Sequence, residues 1–193
     1  MKPIVTKKYL GLLVQNSIQR VLEVLFQRPE QEFSLSDLAK EAEVAKSHIG
    51  EILAQLERLG FITVVKLTKI WRIKANQQSE NFLKSKIVYN LNFIYQSGLV
   101  EFLNEHFGSP KAIVLFGSFR RGEDFSTSDI DIAIETDETG EYRTVGLQIL
   151  SGFEKEINRK IQLHLFNRKN VDTHVFSNIA NGILLSGFLD VKP

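Results

Sequence analysis

The stretch "KAIVLFGSFRRGEDFSTSDIDIAIE", Lys111 to Glu135, leaves few folds open to this chain. An apolar run ends at Gly117-Ser118, a polar loop follows, and a second run opens on Asp-Ile-Asp. Short apolar runs bounded by turn residues read as buried strands. In the second run Ile130, Ile132 and Ile134 alternate with Asp129, Asp131, Ala133 and Glu135. Strand side chains alternate between faces, so one face is apolar and the other carries two aspartates roughly 7 Å apart at Cβ. Two carboxylates held side by side repel each other and call for a positive charge between them. A hard cation such as Mg²⁺ suits, because it binds through a few carboxylates plus phosphate oxygens. Gly117 allows the tight turn that leaves backbone N–H groups and the Ser118 hydroxyl for a phosphate. Arg120 and Arg121 follow closely enough to neutralise a polyphosphate.

Around this segment the pattern is that of a small α/β domain. "LVEFLNEHFGSP" reads as a helix closed by Gly108 and Pro110. After the second strand the pattern predicts a long helix from about Glu141 to Lys160, a strand in "IQLHLF", and a final helix within "VFSNIANGILLSGFL". The domain is assigned to residues 96–193. Residues 79–95 are read as a connecting helix with Phe82, Ile87, Leu91 and Ile94 on one face, a surface on which two copies of the chain can pair.

The first 78 residues read differently. Ile18, Val21, Leu22 and Leu25 share a helical face over Ser17 to Arg28, and Pro29 ends that helix. "SLSDLAKEAEV" predicts a second helix capped by Ser34 or Ser36. "AKSHIGEILAQLERLG" predicts a third, with Ile49, Ile52, Leu53, Leu56 and Leu59 as its apolar stripe and Gly60 as its stop. Two β-like runs, "FITVV" and "IWRIK", follow. From Phe61 to Ser79 no acidic residue occurs, while Lys66, Lys69, Arg72 and Lys74 do.

Composition limits the function classes. Formal net charge is +1, so a nucleic-acid surface has to be local. The absence of cysteine excludes a disulfide scaffold, a thiolate metal site and a cysteine nucleophile. No apolar run approaches the ~20 residues of a membrane span, and "MKPIVTKKYLGLLVQ" lacks a signal-peptide cleavage pattern. The expectation is a cytoplasmic protein with no membrane partner.

With these residues in view, two resemblances stand out. "LFGSFRRGE" followed by "SDIDIAIE" resembles the minimal nucleotidyltransferases of the DNA polymerase β superfamily. The resemblance implies Gly117, Ser118 and Arg121 for nucleotide phosphates, Asp129 and Asp131 as catalytic metal ligands, Mg²⁺ as cofactor, and a nucleoside triphosphate, ATP first, as substrate. It implies transfer of a nucleoside monophosphate to a hydroxyl acceptor: a protein such as a partner toxin, a small molecule or an RNA end. Arg121 and Gly122 match the family's Arg-Gly, whereas the position before them, usually small, is Arg120. The family's third acid aligns with Gln162, with His164 two residues on. Glu135 and Glu123 are the nearest other carboxylates. The N-terminal part resembles the winged helix-turn-helix of transcription regulators, which implies Lys46, Ser47 and His48 toward the major groove and Lys66, Lys69 and Arg72 toward DNA phosphates. Position 45 is Ala where such motifs often carry a capping Ser or Thr. Winged helices also dock proteins, and a nucleotidyltransferase domain without its third acid also serves as a nucleotide sensor. Those readings stay open. The fold class expected is α/β plus α+β, a winged helix-turn-helix followed by a small mixed sheet with flanking helices.

Overall fold

The computed structural model describes residues 16–68 and 70–191, which divide into two compact units meeting in sequence at Tyr89 and Asn90. In the first unit α1 (Ser17–Gln27) begins at Asn16, whose side chain accepts the Gln19 N–H at 2.8 Å. The helix stops one residue short of Arg28, just before Pro29. A two-residue strand, β1 (Glu32–Phe33), comes next, then α2 (Leu35–Glu41) and α3 (Lys46–Arg58). Ser34 caps α2 by accepting the Asp37 N–H, while Ala45 gives α3 no side-chain cap. Strands β2 (Ile62–Lys66) and β3 (Trp71–Ala75) form an antiparallel hairpin, and β1 adds to its other side in the order β1-β3-β2. Three helices and a three-stranded sheet in this sequence are a winged helix-turn-helix. Its core joins Val21 and Leu25 of α1, Leu38 of α2, Ile49, Leu53 and Leu56 of α3 and Ile73 of β3. Leu59, placed in the α3 stripe from sequence, sits instead at the helix C-cap and is exposed.

Helix α4 (Glu80–Gln96) runs through the boundary. Phe82 belongs to the first core, and Phe93 and Ile94 belong to the second. The buried positions between them are Lys86 and Asn90, while Ile87 and Leu91 are only partly buried. The apolar face read from sequence is thus rotated by one residue, because two polar side chains go inward here.

In the second unit α5 (Leu99–His106) leads to β4 (Ala112–Phe116), the one-turn helix α6 (Gly117–Arg121) and β5 (Ile130–Glu135). The chain continues as β6 (Arg143–Val145), a 3₁₀ turn (Gln148–Leu150), α7 (Ser151–Ile157), β7 (Ile161–Phe166), α8 (Thr173–Ala180) and β8 (Ile183–Gly187). The sheet order is β6-β7-β5-β4-β8, with β5 and β7 parallel and the other pairs antiparallel. Ile113, Leu115, Ile130, Ile132, Ile134, Leu163 and Leu165 pack on one face against α5 and α7 residues Leu103 and Phe153. Ala112, Val114, Ala133 and Phe166 face the other way, toward Ile179 of α8.

Two expectations are corrected here. The helix read over Glu141–Lys160 is only the seven residues of α7, because Arg143-Thr-Val pairs as an edge strand with β7 and Gly146 follows. The end read as helix in "VFSNIANGILLSGFL" is half helix and half strand: Gly182 follows α8, and Ile183–Gly187 then pairs with β4. Within the described residues no helix is long and apolar enough to cross a membrane.

Candidate functional site

The site lies where β4 hands over to α6 beside the start of β5. Phe116 is opposite Asp131 in the antiparallel register, which brings the Gly-Ser turn onto the first strand aspartate. Gly117 has φ +75°, a conformation that side chains with a Cβ disfavour. A Cβ there would stand 3.1 Å from Asp131 Cγ and 3.2 Å from its Cβ, and inside van der Waals contact of Oδ2. Glycine is therefore required twice over, for the turn and for the close approach of the carboxylate.

Asp131 is held from its other side by β7. In the parallel register Asp131 lies beside Gln162, and Ala133 lies beside His164. His164 Nε2 is 3.1 Å from Asp131 Oδ1, and its Nδ1 is 2.5 Å from the Tyr142 hydroxyl. A carboxylate only accepts, so Nε2 donates to it, and Nδ1 shares a hydrogen bond with the tyrosine hydroxyl. The imidazole is 8% exposed and meets the Phe116 ring edge-on at 4.8 Å between centroids. His164 is thus fixed on three sides. Tyr142 lies in a segment read from sequence as the start of a helix, so its place beside His164 was not foreseeable without β6.

The remaining predicted residues are dispersed around this point. Asp129 precedes β5, is exposed, and lines a cleft of about 350 Å³ with Ser128, Lys155 and Lys160. Arg121 is exposed and bonds Glu123 Oε2 at 2.6 Å. Arg120 and Arg121 line a cleft of about 250 Å³ with Phe116, Gly117 and, from α8, Asn178 and Asn181. Those two asparagines had no motif to announce them. Glu135 shares the aspartate face but lies at the far end of the strand, paired in register with Ala112. Burial pushes its carboxyl above the ordinary range, with Arg168 and Lys111 pulling it back. It plays no part at the mouth of the sheet.

The loop carrying Asp129 is anchored by a buried polar cluster. Asn90 Nδ2 donates to the Phe119 carbonyl at 2.8 Å and to Asp124 Oδ1 at 3.0 Å. Arg159 reaches Asp124 Oδ2 at 3.6 Å, with both side chains almost fully buried. Breaking such a pair from one side leaves an uncompensated charge in low dielectric, so this cluster holds the loop in one place.

Among the described residues no three Asp, Glu or His groups gather as a metal cluster. The donor set suited to a hard cation is the pair Asp129 and Asp131. Of these, Asp131 stands at the Gly117 turn, and Asp129 lines the cleft with Lys155 and Lys160; a carboxylate pair is a donor type that Mg²⁺ commonly uses.

In the winged helix, Lys46, Ser47 and His48 form the exposed first turn of α3, and His48 Nδ1 is 3.9 Å from Glu51. The basic hairpin is partly neutralised from within. Arg72 forks onto both oxygens of Glu32, and Lys74 Nζ is 3.4 Å from the same carboxylate. These cations hold the Glu32 carboxyl below its ordinary range. Lys66 stacks over the Trp71 ring at 4.4 Å. Lys69 lies outside the described residues.

Residues 97–185 match the family model described as nucleotidyltransferase domain. The chain thus carries a nucleotidyltransferase domain after a winged helix-turn-helix. No curated protein matches the chain at a significant level. Among solved structures, reduced HlyU from Vibrio cholerae N16961 is similar at 18% identity and a TM-score of 0.30, over 55% of this chain and 88% of that one. The adhesin competence repressor AdcR from Streptococcus pyogenes is similar at 14% identity and a TM-score of 0.34, over 52% and 72% respectively. The winged-helix assignment stands on the strand order and pairing described above.

Proposed function

We propose that the nucleotidyltransferase domain at residues 97–185 binds a nucleoside triphosphate, ATP first, with Mg²⁺, and transfers its nucleoside monophosphate to a hydroxyl acceptor, while the winged helix binds DNA. One observation carries the reading: the Gly117 turn and the Asp131 carboxylate are packed so closely that only glycine fits between them. In this reading the apposition sets backbone that meets phosphate beside a carboxylate that holds metal. In this reading Asp129 and Asp131 hold the cation, and Gly117, Ser118 and Arg121 meet the phosphates. The bound metal supplies charge neutralisation for the phosphate oxygens. The acceptor hydroxyl oxygen attacks the α-phosphorus as its proton passes to solvent water, the bond to the bridging oxygen breaks, and pyrophosphate leaves with that electron pair. Positioning and charge neutralisation supply most of the rate in such transfers. The acceptor is a protein hydroxyl, as on a partner toxin, a small molecule or an RNA end. Lys46, Ser47 and His48 would enter the major groove, and Lys66, Lys69 and Arg72 would meet DNA phosphates.

A second reading, a nucleotide sensor that regulates transcription without turnover, is favoured by Gln162 lying beside Asp131. An amide cannot act as a general base, whereas ligand binding survives its presence. Incubation with α-labelled ATP and Mg²⁺, with and without candidate acceptors, separates the two. Label transfer by the wild type that is lost in Asp129→Ala/Asp131→Ala supports the transferase. ATP-dependent DNA affinity with no label transferred supports the sensor. Absence of both refutes the proposal.

A further inference from the structure

We infer that this site takes a single divalent cation with its nucleotide, the Tyr142–His164 pair standing where a second cation would have to bind. The inference rests on the nucleotide-binding reading above and specifies its metal content.

Two-cation phosphoryl-transfer sites hold their ions about 3.5–4 Å apart. Such a pair needs a carboxylate that can serve both ions, and enough negative charge to offset their repulsion. Asp131 is the carboxylate nearest the phosphate-binding turn, and neither of its oxygens is free for a second ion. Oδ2 packs against Gly117, which the reading above assigns to the nucleotide phosphates and their metal. Oδ1 accepts from His164 Nε2 at 3.1 Å. The imidazole cannot readily swing aside, because Tyr142 holds its Nδ1 at 2.5 Å and the Phe116 ring packs on its face of approach at 4.8 Å.

The charge balance points the same way. The strand neighbour of Asp131 is the neutral amide of Gln162, and no third carboxylate gathers with the two aspartates among the described residues. Two carboxylates offset one divalent ion. The cationic charge that a second ion would bring to the phosphate tail is present in protein form, since Arg120 and Arg121 both line the cleft beside Gly117.

Counting bound Mn²⁺ by electron paramagnetic resonance tests this, using the full chain and a non-hydrolysable ATP analogue at saturation. The wild type is expected to hold one Mn²⁺ per chain. Gln162→Asp restores the third acid but leaves His164 on Oδ1, and is expected to stay at one. Gln162→Asp with His164→Ala is expected to hold two. Two ions on the wild type overturn the inference, and two on Gln162→Asp alone overturn the part assigned to His164. Should the double variant fail to fold, the first two counts still decide. No nucleotide and no Mn²⁺ on the wild type would remove the nucleotide-binding reading itself, an outcome distinct from a count of two.

Discussion

Gly117 is the residue at which backbone conformation and site chemistry meet. Gly117→Ala places a Cβ at φ +75° and against Asp131. The left-handed backbone alone costs about 1–2 kcal/mol. Asp131 must then leave His164 or the turn must open, so nucleotide affinity is expected to fall at least tenfold. Gly122, at φ +70°, provides the comparison, because Gly122→Ala carries the same kind of backbone strain in the next turn. Denaturant melts should show similar losses for both variants, and calorimetry with ATP and Mg²⁺ should show the affinity loss only for Gly117→Ala. Equal affinities would disprove the coupling of turn and carboxylate. Much of this site was legible because local spacing encodes it: the alternation in "DIDIAIE" put Asp131 on a polar face, and "FGS" marked the turn. Other parts depend on which distant strands become neighbours. Nothing in the spacing of Tyr142, or of Asn178 and Asn181, says that they will stand beside His164 or Arg120. The Asn90–Asp124–Arg159 cluster likewise joins three separate segments.

The elements divide on the same line. Helices with a clear apolar stripe and a stop, α1 and α3, came within a residue or two of the sequence reading. The misread ones are those where both periods fit. In "IANGILLSG" the spacing of Ile179 and Ile183 continues a helical face, yet Gly182 breaks it and β4 offers an edge to pair with. Strand β1 is two residues long, below any periodicity, and its consequence is functional. Glu32 on β1 draws Arg72 and Lys74 away from solvent-borne partners. Glu32→Gln should release both, raising affinity for a mixed-sequence duplex several-fold at low salt. Every additional DNA phosphate that the freed cations neutralise should steepen the logarithmic salt dependence by about 0.9. Arg72→Ala in the wild-type background should cost less affinity than Lys66→Ala, since that guanidinium is already shared with Glu32. Fluorescence anisotropy over a salt series reads both. An unchanged slope in Glu32→Gln would show that the hairpin does not touch DNA phosphates.

At the scale of the whole molecule, α4 is the element that both cores hold. Phe82, near its start, meets Phe26 of the winged helix at 5.2 Å between ring centroids. Asn90, two turns on, grips the carbonyl of Phe119, the residue following Ser118 in the turn proposed to meet phosphate. On the proposed reading, a nucleotide that moved α6 would act on a helix whose first turn lies in the winged-helix core. Linkage then fixes what must be observed. If ATP with Mg²⁺ changes DNA affinity by some factor, DNA must change ATP affinity by the same factor, and couplings of this kind commonly span about 5–150-fold. The expected result is a matched factor within that range, measured by anisotropy for DNA with and without nucleotide and by calorimetry for nucleotide with and without DNA. Asn90→Ala cuts the grip on Phe119 without touching any group assigned to nucleotide, metal or DNA. It should bring the factor toward one while leaving the affinity for DNA alone within a few-fold of wild type; nucleotide affinity should fall as well, because Asn90 also holds Asp124 in the loop that carries Asp129. A factor of one in the wild type would mean that the two units bind their ligands independently. A large factor that persists in Asn90→Ala would mean that the coupling runs through some element other than α4.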